Sequence, residues 1–398
     1  MDILFEWFGF LTRWLHVMAG ITWIGTSFYF NWFDSNVRPA KSSVIKENSR
    51  GTLDEIHGGS FYYHEQYWPD QHPERLLVHA WPAKTTFYTG LLLMTLIYWF
   101  GASAYLVDKS VADITGPIAV AISVGAIVLG WAIYTKLSDF LKEDKHLFFA
   151  MSVFVIAATY ILTHLLSGRG AFISTGAMLG SFMGLNVIFH IVPNHIAMRR
   201  QLANGEKLDI HHGYLAKRRS QHNNYFTIPV VFCMISNHFA TAYSHQLAWI
   251  ILSLMLFAGW AIRHYLNVYY KQDTKLKPLA VAACVAIASA IGLSMLKSSS
   301  VPVNNSTNAS TEVSIVTDQK AMQIIHQRCV ACHSATPSQP GFSVAPQGLM
   351  LDTVDQVLQH RQKVIQQALV AKSMPLGNLT QMTDEERALL QVWFESKK

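Results

Sequence analysis

Two cysteines and a histidine near the end of the chain have the types and spacing of a covalent porphyrin anchor. Cys329, Cys332 and His333 form the pattern Cys-x-x-Cys-His, in which both thiols bond to the vinyl groups of a c-type haem and the imidazole binds its iron. Met374 follows His333 by 41 residues, and a histidine–methionine ligand pair is typical of electron-transfer cytochromes c. The sequence therefore predicts one covalent haem c with His333 and Met374 as iron ligands. The alternative is a redox-active or zinc-binding cysteine pair that a histidine follows by chance.

The residues around this motif predict a small helical domain joined to the rest of the chain by a linker. Residues 298–314 are small and polar without periodicity, which is typical of a flexible tether. Residues 315–398 then form a soluble, all-α cytochrome c domain, with helices predicted near 318–328 and 384–396. A domain of about 80 residues buries little core on its own, and the haem would supply the missing apolar surface. The pairs predicted to form capping boxes are Thr353 with Gln356 and Thr383 with Glu386.

The remainder of the chain is too apolar for an ordinary soluble domain. Hydrophobic residues make up 51% of the sequence and charged residues 14%. Apolar runs of about 20 residues, the length that crosses a bilayer, recur through residues 1–297. We therefore expect an all-α, polytopic membrane helix bundle of about eight transmembrane helices, whose first span has an acidic leader unlike a cleavable signal. The predicted spans are 9–33, 85–107, 114–135, 146–166, 171–197, 226–243, 246–268 and 278–297.

The distribution of basic residues predicts how the bundle is oriented. Eighteen Lys and Arg residues lie in the alternate connections 34–84, 136–145, 198–225 and 269–277. The opposite short loops hold only Lys109 and Arg169. Because basic loops stay in the cytoplasm, both termini and the haem domain are expected in the periplasm of a bacterial inner membrane, where c-haem is attached. The net charge of +6 then flanks membrane spans, so no nucleic-acid partner is predicted.

Histidine is the ionisable residue that recurs at bilayer depth. Those expected in the periplasmic half of the membrane are His16, His164 and His238, and those expected toward the cytoplasm are His190, His195 and His264. Ionisable groups in hydrocarbon are costly, and a functional role is the default hypothesis. The alternative for each is a structural histidine that is hydrogen-bonded to a neighbouring helix. We interpret His16, His164 and His238 as candidate cofactor ligands.

Two clusters that mix amide, imidazole and aromatic groups lie at the edges of spans on the cytoplasmic side. One covers residues 54–67 and the other residues 220–229. Aromatic rings stack on planar molecules, and amide and imidazole groups hydrogen-bond to their edges, so the clusters favour a planar, polar heterocycle as ligand. The alternative is an interfacial aromatic belt with helix-start residues. The candidate catalytic residues in the clusters are His57, Glu65, His222, Asn223, Asn224 and Tyr225.

Several stretches in one order give the chain a family resemblance. They are 14–25, 27–30, 57–62, 191–194, 222–232, 235–238, 341–342, 345–348, 374–378 and 382–383. On these stretches the chain resembles the bacterial membrane-bound urate oxidase (urate hydroxylase) family, in which a membrane domain carries a C-terminal cytochrome c. Pro82 and His195 depart from the family pattern, since an acidic residue and a glutamine are expected there. The first span also resembles that of bacterial membrane protoporphyrinogen oxidases, in which the histidine binds a b-type haem.

The family resemblance implies a reaction and an electron acceptor. The reaction is oxidation of urate to 5-hydroxyisourate in purine catabolism, with water as the source of the hydroxyl oxygen. Electrons would leave through the haem c to a periplasmic cytochrome c or another respiratory-chain acceptor, and not directly to oxygen. The chemistry needs a general base, for which His57, Glu65 and His222 are the candidates.

The position of the substrate decides whether a second cofactor is needed. If urate binds at the cytoplasmic clusters, electrons must cross about 30 Å of hydrocarbon, and we hypothesise a relay through a b-type haem held by His16 and another histidine. If urate binds in the periplasmic half, His16, His164 and His238 would border it and no b-type haem is required. The same residue types also allow a different function, that of a quinol-oxidising, membrane-anchored c-type cytochrome.

Overall fold

Helices form most of the chain, as the sequence predicts. The computed structural model describes residues 2–39, 46, 48–269, 276–295, 316–340, 342 and 344–397. The predicted linker at 298–314 falls outside these ranges. The elements before it are α1 (Asp2–Asn36), β1 (Ser49–His57), β2 (Ser60–Tyr67), α2 (Trp81–Leu93, prolonged by a π-helical turn at Met94–Trp99), α3 (Ala102–Tyr105), α4 (Gly116–Phe140), α5 (Asp144–Leu165), α6 (Gly168–Asn186, prolonged by a π-helical turn at Val187–Ile191), α7 (Val192–Ala203), α8 (Ile210–Ile235, followed by a 3-10 turn at Ser236–His238), α9 (Ala240–Tyr243), α10 (Ala248–Tyr269) and α11 (Leu276–Met295).

Five helical segments in the described part of the chain are long and apolar enough to cross a membrane. They are Gly116–Phe140, Asp144–Leu165, Gly168–Ala203, Ala248–Tyr269 and Lys277–Met295. Each of the five overlaps one of the predicted spans. The other three predicted spans correspond to α1, to α2 with its π-helical turn, and to the second half of α8, and the count of eight remains a prediction.

α6 is the central helix of the bundle. In the segment Gly168–Ala203, 72% of the apolar stretch is buried, against 17% in α4 and in α11. α6 packs against α4, α5 and α8, around a core that includes Phe172 and Phe182. The ring of Tyr134 in α4 stacks on Phe182 with 5.0 Å between the centroids. This packing fixes Tyr134 beside the polar part of α8.

α8 begins earlier than the sequence indicates. The sequence predicts a connection over 198–225, but α7 and α8 occupy most of it. The Asp209 side chain caps α8 by accepting a hydrogen bond from the His211 amide at 2.9 Å, and aspartate is a preferred residue at this position. The cluster at 220–229 therefore lies inside a helix, and its side chains project with a helical period.

The described residues also contain a two-stranded sheet, which the all-α prediction missed. β1 and β2 pair antiparallel, and a turn at Gly58 and Gly59 joins them. Both glycines have a positive φ, +57° and +82°, as a two-residue hairpin turn requires. The interpretation of residues 54–67 as a polar cluster overlooked this Gly-Gly pair, which is a hairpin signal.

The described part of the C-terminal module folds around its own apolar core. Its elements are α12 (Asp318–Arg328), a 3-10 turn at Pro346–Gly348, α13 (Val354–Gln359), α14 (Arg361–Val364, prolonged by a π-helical turn at Ile365–Val370), a 3-10 turn at Leu376–Asn378, and α15 (Asp384–Ser396). α12 and α15 match the helices predicted from the sequence, and both predicted capping boxes form, at Thr353 and Thr383. Trp393 is buried in the same core as Ile325, and its indole N–H donates to Asp318 at 2.8 Å.

Candidate functional site

A cavity of about 1230 Å³ lies where α1, α5, α7, α8 and α10 meet. Its wall includes Trp68 and Lys145, which belong to the end of the bundle that the sequence assigns to the cytoplasm. Four of the predicted catalytic residues also line it, namely His222, Asn223, Asn224 and Tyr225. One turn of α8 therefore brings the predicted cluster to a space large enough for a small ligand.

Three flat rings form one part of the cavity wall. The Trp260 ring lies 5° from parallel with His264, with 5.4 Å between their centroids, and 28° from parallel with Tyr225 at 6.1 Å. The Tyr225 and His264 centroids are 5.8 Å apart, and the Tyr225 hydroxyl is 2.8 Å from His264 Nδ1, so a hydrogen bond fixes these two rings relative to each other. Trp260 and His264 are four residues apart on α10 and share a face. Nearly parallel aromatic faces suit a planar ligand.

His222 keeps one ring nitrogen without a protein partner. Its Nδ1 lies 2.8 Å from the Tyr134 hydroxyl, and that oxygen accepts a hydrogen bond from the Asn186 amide at 2.8 Å. The phenolic proton is therefore donated to His222, which favours the tautomer protonated on Nε2. Nε2 is buried and has no hydrogen-bond partner among the described residues, since Asp144 Oδ1 is 3.9 Å away. In this tautomer His222 donates a hydrogen bond, whereas the predicted role of general base needs the other tautomer.

The two asparagines of the cluster use their amides to hold α8 in place. Asn223 accepts from the Asn186 amide at 2.8 Å and donates to a backbone carbonyl of α6 at 2.9 Å. Asn224 accepts from Arg263 and donates to the Asn267 oxygen at 2.9 Å. The amide groups are thus committed to α6 and α10, and they fix where their neighbours His222 and Tyr225 stand.

Arg263 is a buried cation that sequence reasoning missed. The residue is 3% exposed and lies over the Phe28 ring, 3.7 Å from its centroid. Its Nε donates to Asn224 in the cavity wall, while Nη2 is buried without a partner. No ion pair joins it to a carboxylate in the part of the chain that the structure describes. An uncompensated buried charge is costly, and an anion in the cavity would offset it. The sequence signal was an arginine inside the predicted span 246–268, which contains no acidic residue.

His57 and Glu65 lie outside the cavity wall. His57 is exposed beside the hairpin turn, and Glu65 Oε1 accepts a hydrogen bond from the backbone amide of Lys46 at 2.9 Å. A different carboxylate of the hairpin, Glu55, accepts from the Tyr29 hydroxyl at 2.7 Å and ties the hairpin to α1. The catalytic role of His57 and Glu65 stays a prediction.

His16 of α1 packs against Thr89 and Gly90 of α2. Its Nδ1 is 3.0 Å from the Thr89 hydroxyl, whose own proton goes to the Thr85 carbonyl at 2.6 Å. The imidazole therefore donates through Nδ1 and keeps a lone pair on Nε2, the form that binds metals. A Cβ atom at Gly90 would come within 2.9 Å of the His16 ring, so glycine at this position makes room for it.

The other two histidines predicted to bind a membrane cofactor have different surroundings. His164 is exposed, and its Nδ1 lies 2.7 Å from the Tyr160 carbonyl of its own helix. His238 is exposed in the 3-10 turn that follows α8. The hydrogen bonds and ring contacts of the described residues join neither of them to His16. The second residue that would bind a cofactor together with His16 is not identified by these contacts, and the roles of His164 and His238 stay predictions.

The residues of the Cys-x-x-Cys-His motif have the chemistry that attachment of a haem c would need. Neither Cys329 nor Cys332 is in a disulfide, and burial raises the pKa of Cys329 to about 12 and also raises that of Cys332, so both thiols are protonated at neutral pH. His333 Nδ1 lies 2.9 Å from the Leu349 carbonyl, to which its N–H donates, and Nε2 is left for iron. Burial lowers the pKa of His333, against the effect of the Leu349 hydrogen bond, and so favours the neutral imidazole that binds metals.

Met374 lies in the same module as the motif. Its amide donates to the Gln367 carbonyl at 3.0 Å, and its carbonyl accepts from Arg387 at 2.8 Å. The side chains of Met374 and Cys329 pack against one apolar core. In the described ranges no three His, Cys, Asp or Glu side chains are grouped to hold a bare metal ion. Two thiols, one imidazole and one thioether are nevertheless the donor set that a haem c uses.

Comparison with known proteins gives the family. Residues 2–294, from α1 into α11, match the family model described as Urate oxidase N-terminal. No curated protein and no solved structure matches the chain. Because the match spans well over half of the 398 residues, the chain belongs to the urate oxidase N-terminal family.

Proposed function

We propose that the protein is a membrane-bound oxidoreductase that converts urate to 5-hydroxyisourate. The family supports a urate-related oxidoreductase, and five apolar helices are consistent with a membrane protein. The observation that carries the proposal is the cavity, whose wall contains the rings of Tyr225, Trp260 and His264 and contains Asn224, which accepts a hydrogen bond from the buried Arg263 behind it. In this reaction the urate anion and one water give 5-hydroxyisourate, one proton and two electrons. The added hydroxyl oxygen comes from the water.

The cavity offers a group for each property of urate, which is a planar purine and an anion at neutral pH. The rings of Tyr225 and Trp260 would stack on its plane. The unpartnered Nε2–H of His222 would donate to a carbonyl on its edge. Arg263, behind Asn224, supplies positive potential that favours the anion, which is the form more easily oxidised.

The electrons would be collected in the C-terminal module. Cys329 and Cys332 would attach a haem c, and His333 and Met374 would bind its iron. When bound, this group accepts single electrons and passes them to a periplasmic cytochrome c or another respiratory-chain acceptor. The chain's own contribution is to orient His333 through the Leu349 carbonyl and to keep its imidazole neutral.

The distance between cavity and module argues for an intermediate carrier in the bacterial inner membrane. Ala83 at the start of α2 lines the cavity, and the helical stretch continues to Trp99 at the opposite end, about 25 Å away at the helical rise. His16 contacts Thr89, only about 10 Å along this axis from Ala83. We therefore retain the proposal that His16 and a second ligand hold a b-type haem. The competing arrangement places urate in the periplasmic half of the membrane, near His16, and needs no relay.

The alternative function is oxidation of a quinol with transfer of electrons to the haem c. The size of the cavity favours it, since about 1230 Å³ exceeds what a single purine fills. Apolar side chains in the wall, including Leu147, Phe148 and Met151, would also accept an isoprenoid tail. Both ligands have a planar polar ring, so the residue types alone do not separate them.

A paired assay on membranes that contain the overexpressed protein separates the two functions. Loss of urate absorbance and reduction of added oxidised cytochrome c are followed together without oxygen. We expect both signals to depend on urate, with two cytochromes reduced for each urate consumed. Reduction of cytochrome c by a quinol but never by urate would favour the alternative function.

A further inference from the structure

The C-terminal module touches the bundle through a glycine that has no room for a side chain. Gly377, in the 3-10 turn Leu376–Asn378, has a φ of +56° and lies against α3. A Cβ atom on Gly377 would stand 2.9 Å from the carbonyl oxygens of Ala104 and Val107. It would also stand 3.1 Å from the carbonyl oxygen of Ser103. All three are backbone atoms, which cannot move aside in the way that the end of a flexible side chain can.

A further contact belongs to the same face of the module. Ala371 is 5% exposed and forms part of a core cluster of the bundle that includes Tyr243. Within the module, Arg387 donates to the backbone carbonyl of Met374 at 2.8 Å. Shape and apolar burial therefore act at one surface, near the predicted iron ligand.

We propose that this surface is an electron-entry dock, in which the bundle segment Ala102–Asp108 receives the module at the turn that follows Met374. The proposal rests on the proposed function, because it gives the route by which electrons from urate enter the haem module. The occupant of the dock is the module of the same chain. The dock keeps the Met374 side of the module against the bundle while electrons are transferred, and Gly377 is required because only hydrogen fits between the turn and the α3 carbonyls.

The chain contains a matched control for this glycine. Gly348 lies in the other 3-10 turn of the module and has a φ of +64°, but no atom lies within 4 Å of a Cβ built there. Alanine would be strained to a similar degree at either position, since both residues have a φ in the left-handed region. Only the Cβ of Gly377→Ala would also clash with backbone atoms of the bundle. The difference between the two variants therefore reports the contact with the bundle, separately from the preference of the turn for glycine.

The experiment compares full-length wild type, Gly377→Ala and Gly348→Ala in detergent. Hydrogen–deuterium exchange of segments 102–108 and 376–380 reports docking without any turnover. Anaerobic mixing with urate reports the rate of haem reduction, and ascorbate reports reduction from solvent. We expect Gly377→Ala to exchange faster in both segments and to lose about tenfold in urate-driven reduction, the size of effect that overpacking produces. Its visible spectrum and its reduction by ascorbate should match those of Gly348→Ala, which should behave as wild type.

A second variant guards against local misfolding of the module around the predicted ligand. Ala104→Trp enlarges α3 and leaves every residue of the module unchanged. It should reproduce the faster exchange and the slower urate-driven reduction of Gly377→Ala. Wild-type exchange in both Gly377→Ala and Ala104→Trp would overturn the dock. If urate fails to reduce the haem even in wild type, the proposed function fails, and the exchange data still decide the dock separately.

Discussion

Arg263 in α10 donates a hydrogen bond from Nε to the side-chain oxygen of Asn224 in α8 and so joins a buried guanidinium to the cavity wall. The described structure pairs this cation with an aromatic face and an amide, and with no carboxylate. A buried positive charge without a carboxylate partner favours an anionic ligand over a neutral one. The proposed preference of the cavity for an anion rests on this charge.

Replacement of the buried arginine should weaken urate binding more than it slows the chemistry. We expect Arg263→Gln to raise the KM for urate about tenfold, since it removes the buried positive charge that favours the anion behind Asn224. Steady-state kinetics with urate measure the effect. Lys145→Gln is the control, because Lys145 also lines the cavity but its side chain is 75% exposed. Equal KM values for Arg263→Gln and wild type would contradict an anion site beside Arg263.

The hydrogen bond between Tyr134 and His222 should matter for turnover. His222→Leu removes the donor and should lower kcat/KM by about 100-fold. Tyr134→Phe removes the hydroxyl that bonds to His222 and to Asn186, and it should lower kcat/KM by about tenfold. The comparison is made by initial rates in purified protein. His211→Leu, an exposed position on the same helix, should leave the rate unchanged. A Tyr134→Phe enzyme as fast as wild type would show that this hydroxyl does not set the state of His222.

The relay proposal predicts two kinds of haem in the purified protein. A pyridine haemochrome spectrum should contain a b-type component in addition to the c-type one, and His16→Ala should remove only the b-type component. Loss of the b-type component in His164→Ala as well would identify His164 as the second ligand, and its retention would exclude that role. A spectrum with c-type haem alone and one iron for each chain would end the relay proposal and favour urate binding in the periplasmic half.

The C-terminal module should lose stability in acid through two carboxylates. A hydrogen bond from Lys397 at 2.6 Å, together with the Trp393 indole, lowers the pKa of Asp318 below its ordinary 3.8. A hydrogen bond from Lys372 at 2.7 Å lowers the pKa of Asp384 in the same way. Their contribution is complete above the unfolded pKa of 3.8 and is lost as the pH falls through the lower folded values.

Acid titration of the haem absorbance and of helical circular dichroism tests this stability effect. Below pH 4 we expect the unfolding midpoint of wild type to fall, and the double variant Asp318→Asn with Asp384→Asn to show a flatter pH dependence. Asp355→Asn serves as the control, since this residue of α13 has no ion pair in the described structure. Identical pH profiles for wild type and the double variant would contradict the assignment.

Local signals in the sequence predicted the C-terminal module well. The capping boxes at Thr353 and Thr383 depend on residues three positions apart, and α12 and α15 follow from apolar periodicity within one helix. Apolar composition likewise predicts helices that can cross a membrane. Such features depend on residues within a few helical turns of one another, so they can be predicted without knowing which distant residues pack against them.

Features that depend on distant residues were missed or misplaced. Arg263 lacks an ion pair because α8 places an amide and α1 an aromatic ring beside it. The hydropathy of its segment predicted only a membrane span. His57 has the same residue type as His222 in the α8 cluster, yet the hairpin places both His57 and Glu65 away from the cavity wall. The contact of Gly377 with α3 joins residues more than 250 positions apart, which no local pattern predicts.

Anaerobic mixing of the purified protein with urate tests the central claim most directly. The account predicts that urate alone reduces the haem c, and that Cys332→Ala lacks both the haem absorbance and urate-dependent electron transfer to added cytochrome c. Urate turnover that survives unchanged in Cys332→Ala, or that requires oxygen as the acceptor, would contradict it.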